Sequence, residues 1–190
     1  MNSQVSDRFQ DIFVGDGEMA HLMRNHDWEN SVVGSPCAWP EALKVAIRLL
    51  LTSKFQMWLG WGPDIAFFYN DAYRPTLGAK HPNALSVPTK VLWSEIWDDI
   101  EGRLETVYKY GQSTWDKDLP LLLERNGYTE ESYHTFSYSP LIDESGIVQG
   151  VFCAVTEETE RVVSERRMST MRALASGLAA ADTTDDVLPP

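Results

Sequence analysis

Three strand-like runs in the C-terminal half, separated by two tight-turn signatures, limit what this chain can fold into more than any other feature. In the first run Trp115, Leu119, Leu121 and Leu123 fall on one face of an extended segment. In the second His134, Phe136 and Tyr138 share a face, opposite the small Thr135, Ser137 and Ser139. The third, Ile147 to Val155, carries apolar residues on both faces, as a strand covered on both sides does. Asn126-Gly127 separates the first two runs, and both residues tolerate the positive φ of a hairpin turn. Asp143-Glu144-Ser145-Gly146 separates the second and third. Short turns of this kind join antiparallel neighbours, so these runs predict an antiparallel meander.

A second strand pair lies upstream. Phe55, Met57, Leu59 and Trp61 alternate, Gly62-Pro63-Asp64 turns, and Ile65 to Tyr69 forms a short apolar run. Asn70 and Asp71 then cap a short helix that Pro75 limits and Gly78 ends. Residues 79–93 read as loop with brief helical turns. A longer helix is expected from an N-cap at Ser94 to about Tyr110, with Asp98 and Asp99 in its first turn and Gly111 at its stop. Ahead of the strands, Met19, Leu22, Met23 and His26 recur at helical spacing. Gly34-Ser35-Pro36 breaks the chain, and Pro40 opens a second helix at its first position, with Leu43, Ile47, Leu50 and Leu51 as its stripe.

The last element starts near Glu157 and reads as helical to about Leu178. The expected fold is therefore α+β: a five-stranded antiparallel sheet with helices on one face, able to leave a cavity between helices and sheet. Its organisation divides into an N-terminal helical extension over 1–39, a core over 40–156, an outgoing helix over 157–180 and a disordered tail over 181–190.

Charge and composition exclude several functions. A formal charge of −12 opposes nucleic-acid binding, which needs clustered Lys and Arg against phosphate. The two cysteines, Cys37 and Cys153, are far apart and outside any CxxC spacing, so no structural zinc or disulfide framework is expected. No apolar stretch is long enough to span a membrane, and no signal peptide is visible, so a cytoplasmic protein is expected.

Two segments carry a family resemblance. Phe67-Phe68-Tyr69-Asn70-Asp71-Ala72-Tyr73, a strand running into an Asn-capped helix, resembles the segment that opens the first core helix of PAS sensor domains. Gly150 to Arg161 resembles the terminal PAS strand and its exit motif: Thr159, Glu160 and Arg161 match, while Glu157 and Glu158 stand where Asp and Ile are usual. The resemblance spans roughly residues 40–165 and is closest to the N-terminal PAS domains of bacterial sensor and hybrid histidine kinases. It implies a regulatory domain of a two-component system. Such a domain senses a small ligand or partner, and Thr159, Glu160 and Arg161 carry its signal into a kinase or other output domain. The exit helix, through Val162, Met171, Leu174 and Leu178, is a candidate contact for a homodimer.

No catalytic residues are assigned. The outgoing helix has no phosphoacceptor His, and no Gly-rich phosphate loop is present, so this chain is not expected to act as a kinase itself. Neither cysteine stands where a flavin adduct would need it. Haem is not expected either, because the long helix lacks a His; His81, in the loop near the short helices before it, could reach a cavity. Asp98, Asp99 and Glu101 answer the helix dipole rather than a metal, and Asp116 and Asp118 read as one solvated strand face. Candidate ligand-lining residues, chosen for bulk and position, are Trp58, Phe68, Trp97, Leu104, Trp115, Phe136, Tyr138 and Phe152. Two alternatives stand beside the sensor. One is a small isomerase or dehydratase using His134 with Tyr138 in a pocket, for which an enclosed His134 with a shifted pKa would speak. The other is a ligand-free dimerisation module.

Overall fold

The structure, a computed structural model, describes residues 9–180. The expected tail at 181–190 and the first residues of the N-terminal arm lie outside the described residues. Helix α1 (Glu18–Asn25) and helix α2 (Glu41–Thr52) precede strands β1 (Met57–Trp61) and β2 (Ala66–Tyr69). Two single-turn helices, α3 (Arg74–Leu77) and α4 (Thr89–Leu92), lead to α5 (Trp97–Tyr110). Strands β3 (Thr114–Leu123), β4 (Glu130–Ile142) and β5 (Val148–Glu157) follow, and α6 (Thr159–Ala180) leaves the sheet. The five strands form one antiparallel sheet in the order β2-β1-β5-β4-β3, which places the chain's last strand at its centre.

Local sequence explains most of these boundaries. The Asn70 side-chain oxygen accepts from Tyr73 N (3.1 Å) and Met57 N (3.2 Å), and its amide donates to Phe55 O (2.7 Å). One buried side chain therefore caps the turn at 71–73 and ties it to the start of β1. Gly111 ends α5 in the left-handed conformation, its N–H returning to Val107 O. Two starts differ from expectation. Ser94 begins a separate 3₁₀ turn and α5 starts at Trp97; Pro40 sits at the cap of α2 rather than inside it.

The largest difference from the expected facing lies in β3. Asp116 pairs with Phe136 and Leu119 with His134, so Lys117 and Asp118 together oppose Thr135. This bulge, with Asp118 at φ 52°, inverts the facing of everything before it. Leu121 and Leu123 are buried, but Trp115 is turned outward and is 68% exposed. Asp116 and Asp118 also separate: Asp116 faces Arg103 of α5 (2.6 Å), and Asp118 pairs with Arg161 of α6.

Register assigns the two sheet faces. Trp58, Phe67, Cys153 and Tyr138 share the inner face, against which α5 packs. Leu59 and Phe68 share the outer face. There the N-terminal extension supplies the cover: Trp28 stacks on Phe68 (5.5 Å between rings) and on Phe13 (5.7 Å), with Trp39 edge-on to both Trp28 and Phe68. The extension is thus part of one continuous core, and β1 and β2 are buried on both faces.

Candidate functional site

A small cavity lies between the inner face of the sheet, α5 and the short helical turns before it. Its volume is about 40 Å³. At roughly 10–15 Å³ per water-sized sphere, that holds about three water molecules. Its wall is apolar: the rings of Trp58, Tyr73, Trp93, Phe136 and Tyr138 alternate with the aliphatic Ile96, Ile100, Leu121, Leu123 and Val155. His134, Cys153 and Thr76 supply polar atoms, and no Asp, Glu, Lys or Arg lines it.

Strand alternation brings His134, Phe136 and Tyr138 together on this wall, and β5 sets Cys153 directly beside Tyr138 and Trp58. Phe136 and Tyr138 have ring centres 4.7 Å apart, and Trp58 meets Tyr138 edge-on at 5.4 Å. Every titratable group here is pushed toward its neutral form. Burial lowers the His134 imidazole to about 4; the Glu157 carboxylate opposes that shift and the Arg125 guanidinium adds to it. Burial likewise raises the Tyr73 and Tyr138 hydroxyls and the Cys153 thiol.

The sequence-derived candidates divide three ways. Trp58, Phe136 and Tyr138 line the cavity. Trp97 and Leu104 line a separate surface groove against Pro63, Ile65 and Tyr108. Phe68 and Phe152 lie on the outer face, and Trp115 is outside altogether because of the bulge. Tyr73, Trp93 and Thr76 were not among the candidates, since the segment between Asn70 and Ser94 has no period from which facing could be read. His134, which the sequence offers as a catalytic group, lines the cavity too.

One edge of the cavity connects to the exit. His134 stands opposite Glu157, the last residue of β5. Arg125, in the β3–β4 turn, grips Glu157 with two hydrogen bonds (2.8 and 2.9 Å) and also reaches Glu130 (3.1 Å). Thr159 Oγ1 donates to Glu157 Oε1 (2.9 Å) and accepts from Tyr133 N (3.1 Å). Arg161 pairs with Asp118, Glu158 and Glu165, and Arg166 holds Glu131 through two hydrogen bonds (2.8 and 2.9 Å). Glu160 is exposed. Val162 is half-buried, whereas Met171, Leu174 and Leu178 are exposed. The first two turns of α6 are thus clamped to β3 and β4.

The other polar features fit no metal or large cofactor. Among the described residues no group of three His, Cys, Asp or Glu side chains is placed to hold a metal ion. His81 does not face the cavity: Nδ1 meets the Tyr69 hydroxyl (2.9 Å) and Nε2 meets Glu18 (2.9 Å), so it fastens α1 to the core. Cys37 is exposed in the N-terminal extension. A flavin needs several hundred Å³, as drug-sized ligands do (about 300–1,000 Å³), so the residues around this 40 Å³ cavity do not fit one. No helix among the described residues is long and apolar enough to cross a membrane.

No protein-family model matches the sequence, and no curated protein matches it either. Solved structures do. The chain is similar to an RNA-binding light-oxygen-voltage receptor, with a TM-score of 0.51, 18% identity, and 80% of this chain aligned to 44% of that one. It therefore spans less than half the length of that receptor. It is also similar to a Rhodobacter sphaeroides light-oxygen-voltage protein (TM-score 0.49, 12% identity, 71% of this chain, 80% of that one). A Vibrio cholerae sensory box sensor histidine kinase aligns at a TM-score of 0.43 and 15% identity, over 62% of this chain and 91% of that one. The fold is of the PAS type, the class to which light-oxygen-voltage domains belong.

Proposed function

We propose that this chain is the sensory part of a signalling protein, in which the state of the core cavity is passed through β5 into α6 and on to an output domain such as a histidine kinase. Residues 40–156 form the sensing core, 1–39 its N-terminal extension and 157–180 the outgoing lever. The observation that carries this reading is the pairing of His134, in the cavity wall, with Glu157, the residue that Arg125 and Thr159 hold at the root of α6. A ligand that binds one arrangement of this junction better than another shifts their populations.

In this reading α6 joins two copies of the chain through Met171, Leu174 and Leu178, which project from the helix beyond its clamped turns. The enzyme alternative is not favoured. His134 is enclosed and strongly shifted, but downward to about 4, and the Tyr and Cys groups beside it are raised. Neutral groups throughout give neither an activated nucleophile nor a base poised near neutral pH.

Two measurements test the proposal. Native mass spectrometry with an absorption spectrum, on protein purified from its host, should find a retained small molecule in the core. Shortening the chain at Thr156 should shift it from dimer to monomer. A dimer that survives the cut removes α6 as the joining element.

A further inference from the structure

Ser132 is wholly buried, and its hydroxyl donates its single hydrogen to Leu121 O (3.0 Å). Toward His134 Nε2, 3.1 Å away, the same oxygen can only accept. That fixes the proton of the neutral imidazole on Nε2 and leaves Nδ1 as a bare acceptor. Nδ1 has no hydrogen-bond partner among the described residues, although His134 is only 3% exposed and lines the cavity. The Tyr73 and Tyr138 hydroxyls, also on this wall, are held by no side-chain hydrogen bond among the described residues.

We propose that the cavity binds a neutral molecule of one ring or less carrying an O–H or N–H group, which donates to His134 Nδ1 while the rest of the molecule packs against Trp58, Phe136 and Tyr138. This inference rests on the cavity being a ligand site at all. Neutrality follows from the lining: an ion would be stripped of water with no opposite charge beside it. The donor requirement follows from the tautomer, because an apolar occupant would leave Nδ1 unpaired and dry. Size follows from volume. A cavity that admits benzene measures about 150 Å³, so a single ring already requires the 40 Å³ space to widen. Trp93 and Ile96, which sit on short turns rather than on the hydrogen-bonded sheet, form the side at which it would widen.

The test uses phenol, toluene and benzoate, titrated into the ¹⁵N-labelled full chain and followed by NMR. Phenol should shift the amides of β4 and β5 around the cavity and the His134 Nδ1 resonance. Toluene, of similar shape but without a donor, should bind about tenfold more weakly, and benzoate should not bind. In His134→Phe the preference for phenol over toluene should vanish while toluene still binds. The ring nitrogens of the unmutated protein should show the neutral form protonated at Nε2, a readout independent of whether the variant folds. Toluene binding as tightly as phenol, or a proton found on Nδ1, overturns the donor assignment and leaves the cavity a ligand site. Neither ring shifting the cavity amides up to its solubility overturns both.

Discussion

Acidification from pH 7 to pH 5 tests the burial of His134 directly. In the folded chain its imidazole is held neutral, with its pKa lowered to about 4 by burial; Ser132 is its hydrogen-bond partner, and Glu157 and Arg125 are the charged groups that act on it. In the unfolded chain it titrates near 6.5. Between those values the unfolded state binds more protons, so stability rises with pH there and falls as the solution is acidified. Integrating between the two values gives a loss of about 2 kcal/mol at pH 5 and a plateau of about 3 kcal/mol below pH 4. His26 is also lowered, mainly by burial, and acts in the same direction, but it is common to wild type and variant. Glu157, whose pKa is lowered chiefly by its hydrogen bond to Arg125, loses its contribution only below the ordinary carboxylate range. The assay is urea unfolding at pH 7 and pH 5 of the wild type and of His134→Phe. The wild type should lose about 2 kcal/mol more than the variant over this interval. Parallel pH dependences would refute the buried neutral imidazole, and with it the reasoning on tautomer and ligand.

Three further outcomes are expected. Glu157→Ala removes both Arg125 hydrogen bonds and the Thr159 bond at the root of α6, and should cost about 1–3 kcal/mol, with faster hydrogen exchange at Glu158 to Val162; unchanged exchange would detach the junction from that clamp. Trp28→Ala opens the aromatic stack on Phe68 and Phe13 and should lower stability by about 3–5 kcal/mol in denaturant; a loss under 1 kcal/mol would show that the N-terminal extension is not part of the core. Glu18→Gln weakens the carboxylate that joins Arg74 (2.7 Å) and His81 (2.9 Å), and should make the segment before α2 more sensitive to limited proteolysis; an unchanged cleavage pattern would mean that packing alone docks α1.

The sequence by itself determined the order of elements, the antiparallel meander and the outgoing helix. Turn chemistry at Asn126-Gly127 and 143–146, the Asn70 cap and period-two alternation are local, and each depends on a few neighbouring residues. The same alternation placed Phe136 and Tyr138 on the cavity wall, because β4 runs without a bulge past both. Trp115 and Asp116 exchanged faces because a bulge two residues further on changes parity, and nothing in the spacing of Trp115, Leu119 and Leu121 announces it. Trp97 and Leu104 are correctly apolar, yet which groove they face depends on where α5 crosses the sheet. Ser132 and His134, two apart in β4, share a face by that same alternation. Tyr73, Trp93 and the Arg125–Glu157 clamp belong to the tertiary structure alone. Their meetings are fixed by strand order and helix docking, a long-range closure that no local pattern encodes.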